Sequence, residues 1–227
     1  MPCRAAGVGH CYCFGRKAAI PPCMESRTVL RSSILLSMAG KENADAVRIA
    51  LRDPRAVRRG RTLDERLYVR FPSLLPRIVS AVMRLRPRSR IRQALLARSV
   101  HRGWAASDRG DLELALCSYD PDVEIRWPTT GAIAFPDLKG VYRGHEGYRQ
   151  VWRALHDPWE VEVHLEEVID AGHRMLVTGH ATAQGKGSGI AVDAPFFALY
   201  SFRAGRIISE QYFNGRDEAL AAVGVSE

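Results

Sequence analysis

The chain has 227 residues, an apolar fraction of 46% and a net charge of +8, enough for one domain with an extension or for two small domains. No stretch approaches the ~20 consecutive apolar residues of a membrane span. Ile34, Leu35 and Leu36 are the only strong run where a signal h-region would lie, so the chain reads as cytoplasmic.

The charge is divided. Residues 1–93 carry 20 Lys and Arg against 6 Asp and Glu, residues 94–227 carry 13 against 19, and the break places a boundary near residue 93. Residues 1–37 have neither helical nor strand period and read as a poorly ordered leader, with Met24 and Met38 as alternative starts. Cys3, Cys11, Cys13 and Cys23 are spaced C-x7-C-x-C-x9-C, which lacks the close pairs of a zinc site, so no metal is expected. Residues 38–92 read as a basic helical extension. A short helix is expected over Ala44 to Leu51, ending before Asp53-Pro54. Thr62-x-x-Glu65 is a capping box that opens a helix over Leu63 to Arg70. Ser73 caps the next, whose Leu74, Leu75, Ile78, Val79, Val82, Met83 and Leu85 follow the helical period until Pro87. A longer helix is expected from about Ser89 to Ser107, with Ile91, Ala94, Leu95, Val100 and Trp104 inward.

Residues 93–224 follow another rhythm. After a turn at Asp108-Arg109-Gly110, Asp111 caps a short helix over Leu112 to Ser118. Val123, Ile125 and Trp127 alternate with charged residues as in a half-buried strand. A Gly- and Pro-rich loop runs to Lys139, and Gly144 to Leu155 is a helix with Tyr148, Val151, Trp152 and Leu155 on its apolar side. Four strands are expected next: Glu160 to Ile169, Met175 to Ala183, Ala191 to Phe202 and Arg206 to Phe213. The Gly185–Gly189 cluster and Ala204-Gly205 supply hairpin turns, and Asp217 to Val223 closes with a helical turn. This order predicts an α+β fold: a bent, cone-shaped antiparallel sheet packed on helices, with a helical N-terminal extension.

Four pieces of this half, in order, resemble a known family: Ala106-Ser107-Asp108-Arg109-Gly110-Asp111 with Tyr119-Asp120-Pro121-Asp122-Val123; Tyr142-Arg143-Gly144-His145-Glu146-Gly147-Tyr148; the hairpin Arg203-Ala204-Gly205-Arg206; and Tyr212 through Leu220. They are similar to the SnoaL-like family of the nuclear transport factor 2-like superfamily, whose catalytic relatives include polyketide cyclases, ketosteroid isomerase and limonene epoxide hydrolase. The resemblance implies a cone that holds a small apolar molecule of the polyketide, steroid or terpene kind, a homodimer, and no cofactor. It also implies an acid/base Asp in a Tyr-x-Asp stretch at the end of the final strand. Here that stretch is Tyr212-Phe213-Asn214, and an amide moves no proton at neutral pH.

Other groups are therefore the candidates. Glu210, Tyr212 and Asn214 share a face if the strand keeps its two-residue period, making Glu210 a candidate base and the other two carbonyl partners. His164 and His180, on adjacent predicted strands, are further candidate bases, each weighed against a hydrogen-bonded sheet histidine. Trp127, Tyr142, Trp152, Phe197 and Tyr200 are candidate cavity aromatics with polar tips, weighed against core packing. His156 and His173 fall at turns and read as surface residues. The reading is small-molecule binding, with isomerase, cyclase or hydrolase chemistry open; the alternative is a non-catalytic interaction or dimerisation module with a filled cone. The Arg-rich segment Arg52 to Arg92 offers a membrane or nucleic-acid surface. The favoured expectation is that its apolar stripe packs on the cone or a partner subunit and leaves the arginines in water. With only Tyr68 and Phe71 as aromatics there, nucleic acid is disfavoured.

Overall fold

The computed structural model describes residues 45–51, 60–131, 135, 138 and 140–225, all within one compact unit, Ala39–Glu227. The leader, its four cysteines and the segment 52–59 lie outside the described residues.

Seven strands form one sheet: β1 (Val47–Ala50), β2 (Tyr119–Trp127), β3 (Gly140–Arg143), β4 (Trp159–Asp170), β5 (Arg174–Gly185), β6 (Ala191–Arg203) and β7 (Arg206–Phe213). Their order is β1-β4-β5-β6-β7-β2-β3; only the β2–β7 pair is parallel. Among the described residues, six helices accompany them: α1 (Leu63–Arg70), α2 (Leu74–Met83), α3 (Arg90–Asp108), α4 (Leu112–Leu116), α5 (Gly144–His156) and α6 (Arg216–Val223). The α+β expectation holds, with two strands added. The stretch expected to be a short helix up to Leu51 is strand β1, antiparallel to β4. Val47 and Ile49 are β-branched and share one side of the strand; Ile49 and Leu51 pack on the inner core, and β4 offers an edge to pair with. The other addition, β3, pairs antiparallel with β2 and leads directly into α5.

Two of the antiparallel strand pairings are irregular. Register shifts fall between Leu165 and Glu167 in the β4–β5 pairing and between Ser201 and Phe202 in the β6–β7 pairing, and each inserts an extra residue that increases local twist. The second shift has a consequence for β7. Ser201 pairs Ser209 and Phe202 pairs Ile207, so Ile208 is the extra residue, and Ile207 and Glu210, three apart, line the same inner face. The sheet buries both faces. Phe196, Ala198 and Tyr200 belong to the inner core, while Phe197 and Leu199 join Ile169, Leu176 and Phe213 beneath α6 on the outer face.

The first two helices pack over the mouth of the cone. Glu65 accepts from the Thr62 N–H at 2.9 Å, and Asp111 caps α4 by accepting from the Leu114 N–H at 3.2 Å. At the β6–β7 turn Gly205 has φ +78°, and a Cβ there would stand 1.9 Å from the Pro76 carbonyl oxygen, so a bare backbone is what lets α2 rest on this hairpin.

The long helix α3 faces inward at Val100 and Trp104 as expected, and departs from the expected orientation in its first turns. Ile91, Ala94 and Leu95 are exposed, whereas Arg92, Leu96 and Val100 are buried. Arg92, 1% exposed, meets Asp170, 0% exposed, through Nε–Oδ2 and Nη2–Oδ1 contacts of 2.7 Å. Its other N–H groups reach the carbonyls of Met83, Leu85 and Gly172 at 2.6–2.7 Å. All five guanidinium donors are thus used, tying the α2–α3 turn to the β4–β5 hairpin. Residue 93, where the charge balance changes, lies inside α3.

Candidate functional site

Between the inner face of the sheet and the helices lies a cavity of about 450 Å³, within the ~300–1,000 Å³ typical of small-molecule sites. Its walls are mostly apolar. Tyr68, Leu75, Val79 and Val82 come from α1 and α2, Trp104 from α3, and Tyr148, Val151, Trp152 and Leu155 from α5. The sheet contributes Trp127, Phe196, Tyr200, Phe202, Glu210 and Tyr212.

Glu210 is the chemical centre of this wall. It is 3% exposed and accepts from the Tyr119 hydroxyl at 2.8 Å and the Tyr212 hydroxyl at 2.6 Å. The Tyr200 hydroxyl joins them. Tyr148 extends the cluster, bonded to Tyr119 and Ser107, its ring 4.7 Å from that of Tyr119. Burial away from water pushes the Glu210 carboxyl above the usual carboxylate range, and the tyrosine hydrogen bonds pull the other way. The hydroxyls of Tyr119, Tyr200 and Tyr212 are pushed well above their ordinary value, first by burial and then by the neighbouring carboxylate. The cluster therefore offers neutral O–H donors around one carboxyl that can take or hold a proton.

A second acid faces the same space. Asp108, the last residue of α3, keeps accessible surface and lines the cavity. Desolvation by the surrounding wall raises its carboxyl to about 6, against the opposing pull of Arg109. A carboxylate at a helix C-terminus also faces the negative end of the helix dipole. His156 lines the cavity as well, stacked on Trp152 at 4.5 Å with its Nδ1 3.0 Å from the Trp152 carbonyl oxygen. Burial lowers its pKa, which favours the neutral ring. The Trp152 indole N–H donates to the Ser107 carbonyl at 3.0 Å, fixing the wall between these groups.

The structure brings Glu210, Tyr212, Tyr200, Trp127 and Trp152 together and leaves the other sequence candidates outside. The Tyr212 ring packs at a tilt of 37° against that of Trp127, with ring centroids 4.2 Å apart. His164 and His180 face each other in register across β4 and β5, but Val163 and Ala181 beside them line the cavity, so the strand period turns both histidines to the outer face. His180 pairs with Asp193 there. Phe197 is buried under α6 on that outer side, because its neighbours Phe196 and Ala198 hold the inner positions. Tyr142 on β3 packs against the inner core without lining the cavity. Asn214 follows the last residue of β7; the exposed chain has left the strand, and its Nδ2 donates to the Thr130 carbonyl at 2.6 Å. The Tyr-x-Asn departure therefore sits outside the cavity, and the group on the shared face two residues before Tyr212 is the carboxylate.

Asp108, Tyr119, Tyr148 and His156 were not among the sequence candidates. Asp108 and His156 read as turn residues, and Tyr119 precedes the alternating stretch that marks β2. For Tyr148 the signal was present, since it lies on the apolar side of its helix. Among the described residues, no group of three or more His, Cys, Asp or Glu side chains is placed to hold a metal.

Residues 100–210 match the family model of the SnoaL-like domain. Several solved structures align with it. A nuclear transport factor 2-like protein of unknown function from Burkholderia pseudomallei K96243 is 22% identical, covering 56% of this chain and 95% of its own, with a TM-score of 0.46. A nuclear transport factor 2-like protein from Burkholderia xenovorans LB400 is 23% identical over 55% and 92% of the two chains, with a TM-score of 0.43. TerC, crystallised with polyporic acid, is 20% identical over 51% and 88%, with a TM-score of 0.45. No curated protein matches the chain significantly. Among the described residues, no helix is long and apolar enough to cross a membrane.

Proposed function

We propose that this protein binds a largely apolar small molecule carrying a carbonyl or hydroxyl group and transfers a proton on it through Glu210. The observation that supports this reading is the Glu210 carboxyl, buried in the wall of a largely apolar cavity of about 450 Å³ and surrounded by tyrosine hydroxyls, with no cation among its hydrogen-bond partners in the described residues. In its ionised form Glu210 is a base desolvated toward the useful range; in its protonated form its O–H donates a hydrogen bond to a tyrosine oxygen, which frees that tyrosine's own O–H to donate to a ligand oxygen. Isomerisation or cyclisation of a polyketide-, steroid- or terpene-like ketone is the chemistry this arrangement fits. An open cavity of this size disfavours the alternative of a module whose cone is filled by its own side chains. Homodimerisation through the outer sheet face, where His164, His180 and Asp193 lie, is part of the proposal; sedimentation showing only a 25.3 kDa species at micromolar concentration counts against it.

The test is deuterium exchange into a bound enolisable ketone, after native mass spectrometry for any co-purified molecule. Wild type is expected to exchange, and Glu210→Gln to lose about 10²-fold or more, the usual effect of removing a general base. Asn214→Asp is expected to match wild type, since that side chain lies outside the cavity. Equal exchange by wild type and Glu210→Gln removes the proton-transfer half of the proposal and leaves binding.

A further inference from the structure

The helices that close the cone carry a surface that the ligand site does not use. Of the nine exposed large apolar side chains among the described residues, seven lie on α1, α2, the turns that follow each of them and the first half of α3. Leu63 is 85% exposed, Ile91 66% and Phe71 53%; Leu67, Ile78, Leu85 and Leu95 complete the set. The sequence expectation is an apolar stripe packed on the cone or on a partner subunit, with the arginines in water. Leu75, Val79 and Val82 point into the cavity, and a second apolar set faces out.

The same segment carries Arg66, Arg70, Arg77, Arg84, Arg86, Arg88 and Arg90, all exposed. The ion pairs of these helices run instead through Arg61, Arg92, Arg98, Arg102 and Arg109, so these seven arginines have no carboxylate partner among the described residues. The rest of the N-terminal sequence cannot neutralise them: residues 1–44 hold 6 Lys and Arg against 2 acids, and residues 52–59 hold 4 against 1. What fits such a face is extended, negatively charged and able to accept apolar side chains.

We propose that the α1–α2–α3 face docks on an anionic lipid bilayer surface. Leu63, Phe71 and Ile91 enter the interface and the arginines meet the headgroups, which is how basic amphipathic helices lie on membranes. Nucleic acid supplies the charge but no apolar phase for these side chains. The one exposed aromatic of the set, Phe71, offers little base stacking, because Arg70 already lies 5.7 Å over its ring. The geometry also gives the docking a purpose. Ile78 and Leu95 belong both to the exposed apolar set and to the cavity lining, so the docking face runs into the cone, and an apolar ligand passes between bilayer and cavity with little exposure to water.

Co-sedimentation of the full chain with vesicles tests this without reference to any ligand. Wild type is expected to pellet with phosphatidylglycerol-containing vesicles and to stay in solution with pure phosphatidylcholine. A variant with Arg84→Glu, Arg86→Glu and Arg88→Glu is expected to lose at least 100-fold in partitioning, at about fivefold or more per arginine. A variant with Leu63→Ser, Phe71→Ser and Ile91→Ser is expected to lose at least tenfold, with its residual binding abolished by salt. Thermal melting confirms that both variants are folded, as substitution of exposed side chains predicts. Four results overturn the proposal: no preference for anionic vesicles; apolar-substituted protein binding as tightly as wild type; a duplex oligonucleotide displacing the vesicles at equal charge; or self-association abolished by the same arginine substitutions.

Discussion

Two buried carboxylates in this molecule have opposite fates. Asp170 is enclosed with Arg92, whose five donors are all satisfied, and the pair is a strut between the helical cap and the β4–β5 hairpin. Glu210 is enclosed with tyrosines alone, at the edge of an empty space. A neighbouring cation compensates desolvation and keeps a carboxylate charged, whereas neutral donors compensate only part of it and leave the proton equilibrium shifted. The first arrangement resists change and the second is suited to exchanging a proton. Burial alone does not distinguish structure from chemistry here; the partner does.

Breaking the strut is the largest effect expected. Arg92→Met leaves Asp170 buried without its cation, and Asp170→Asn leaves Arg92 with a neutral partner. The arginine variant should lose about 3–5 kcal/mol of unfolding free energy in urea, because an uncompensated buried charge remains. A loss below about 1 kcal/mol would mean that the pair is solvated or dispensable.

A smaller change sharpens the other half of the comparison. Tyr212→Phe removes one of the hydrogen bonds that hold the Glu210 carboxyl down. The Glu210 carboxyl should then titrate at still higher pH, read by carbon NMR of the labelled side chain. Since folded Glu210 holds its proton more tightly than the unfolded chain does, its ionisation destabilises the fold. Stability falls as pH rises through the folded pKa, and Tyr212→Phe should move that fall upward. An unchanged titration would show that the tyrosine bond is not made in solution.

Asp108 carries the mildest expected effect. Its carboxyl is raised from 3.8 to about 6, so its contribution is neutral at low pH and becomes destabilising between those two values. Asp108→Asn should remove that part of the pH dependence, leaving a more stable protein than wild type at pH 7 and one of equal stability near pH 3. The comparison is made by thermal melting at both pH values; because Asp108 keeps accessible surface, water reduces the size of the effect.

How much was legible in advance follows from the range of the interactions concerned. Helix α1 was predicted to the residue, since Thr62, Glu65 and Pro72 are local signals acting within a turn or two. The long strands and their hairpins were readable within a residue or two from two-residue alternation and from Ala204-Gly205, and Glu210 with Tyr212 followed from the same period. Strand β1 was not, because four residues of ambiguous period become a strand only when β4 offers an edge.

The amino-acid sequence by itself determined the α+β class, the likeness to the SnoaL-like domain and the inner face of β7 at Glu210 and Tyr212, because periodicity and turn chemistry act along the chain. Tertiary structure alone decided what those residues mean. The bulge at Ile208 sets Ile207 and Glu210 on one face, and the end of β7 at Phe213 swings Asn214 out to Thr130. Helix α3 turns Arg92 inward and Ile91 outward because Asp170, 78 residues away, offers the guanidinium a fully buried carboxylate. Desolvation belongs to the same class. It is the sum of everything packed around a group, and no spacing in the chain contains it.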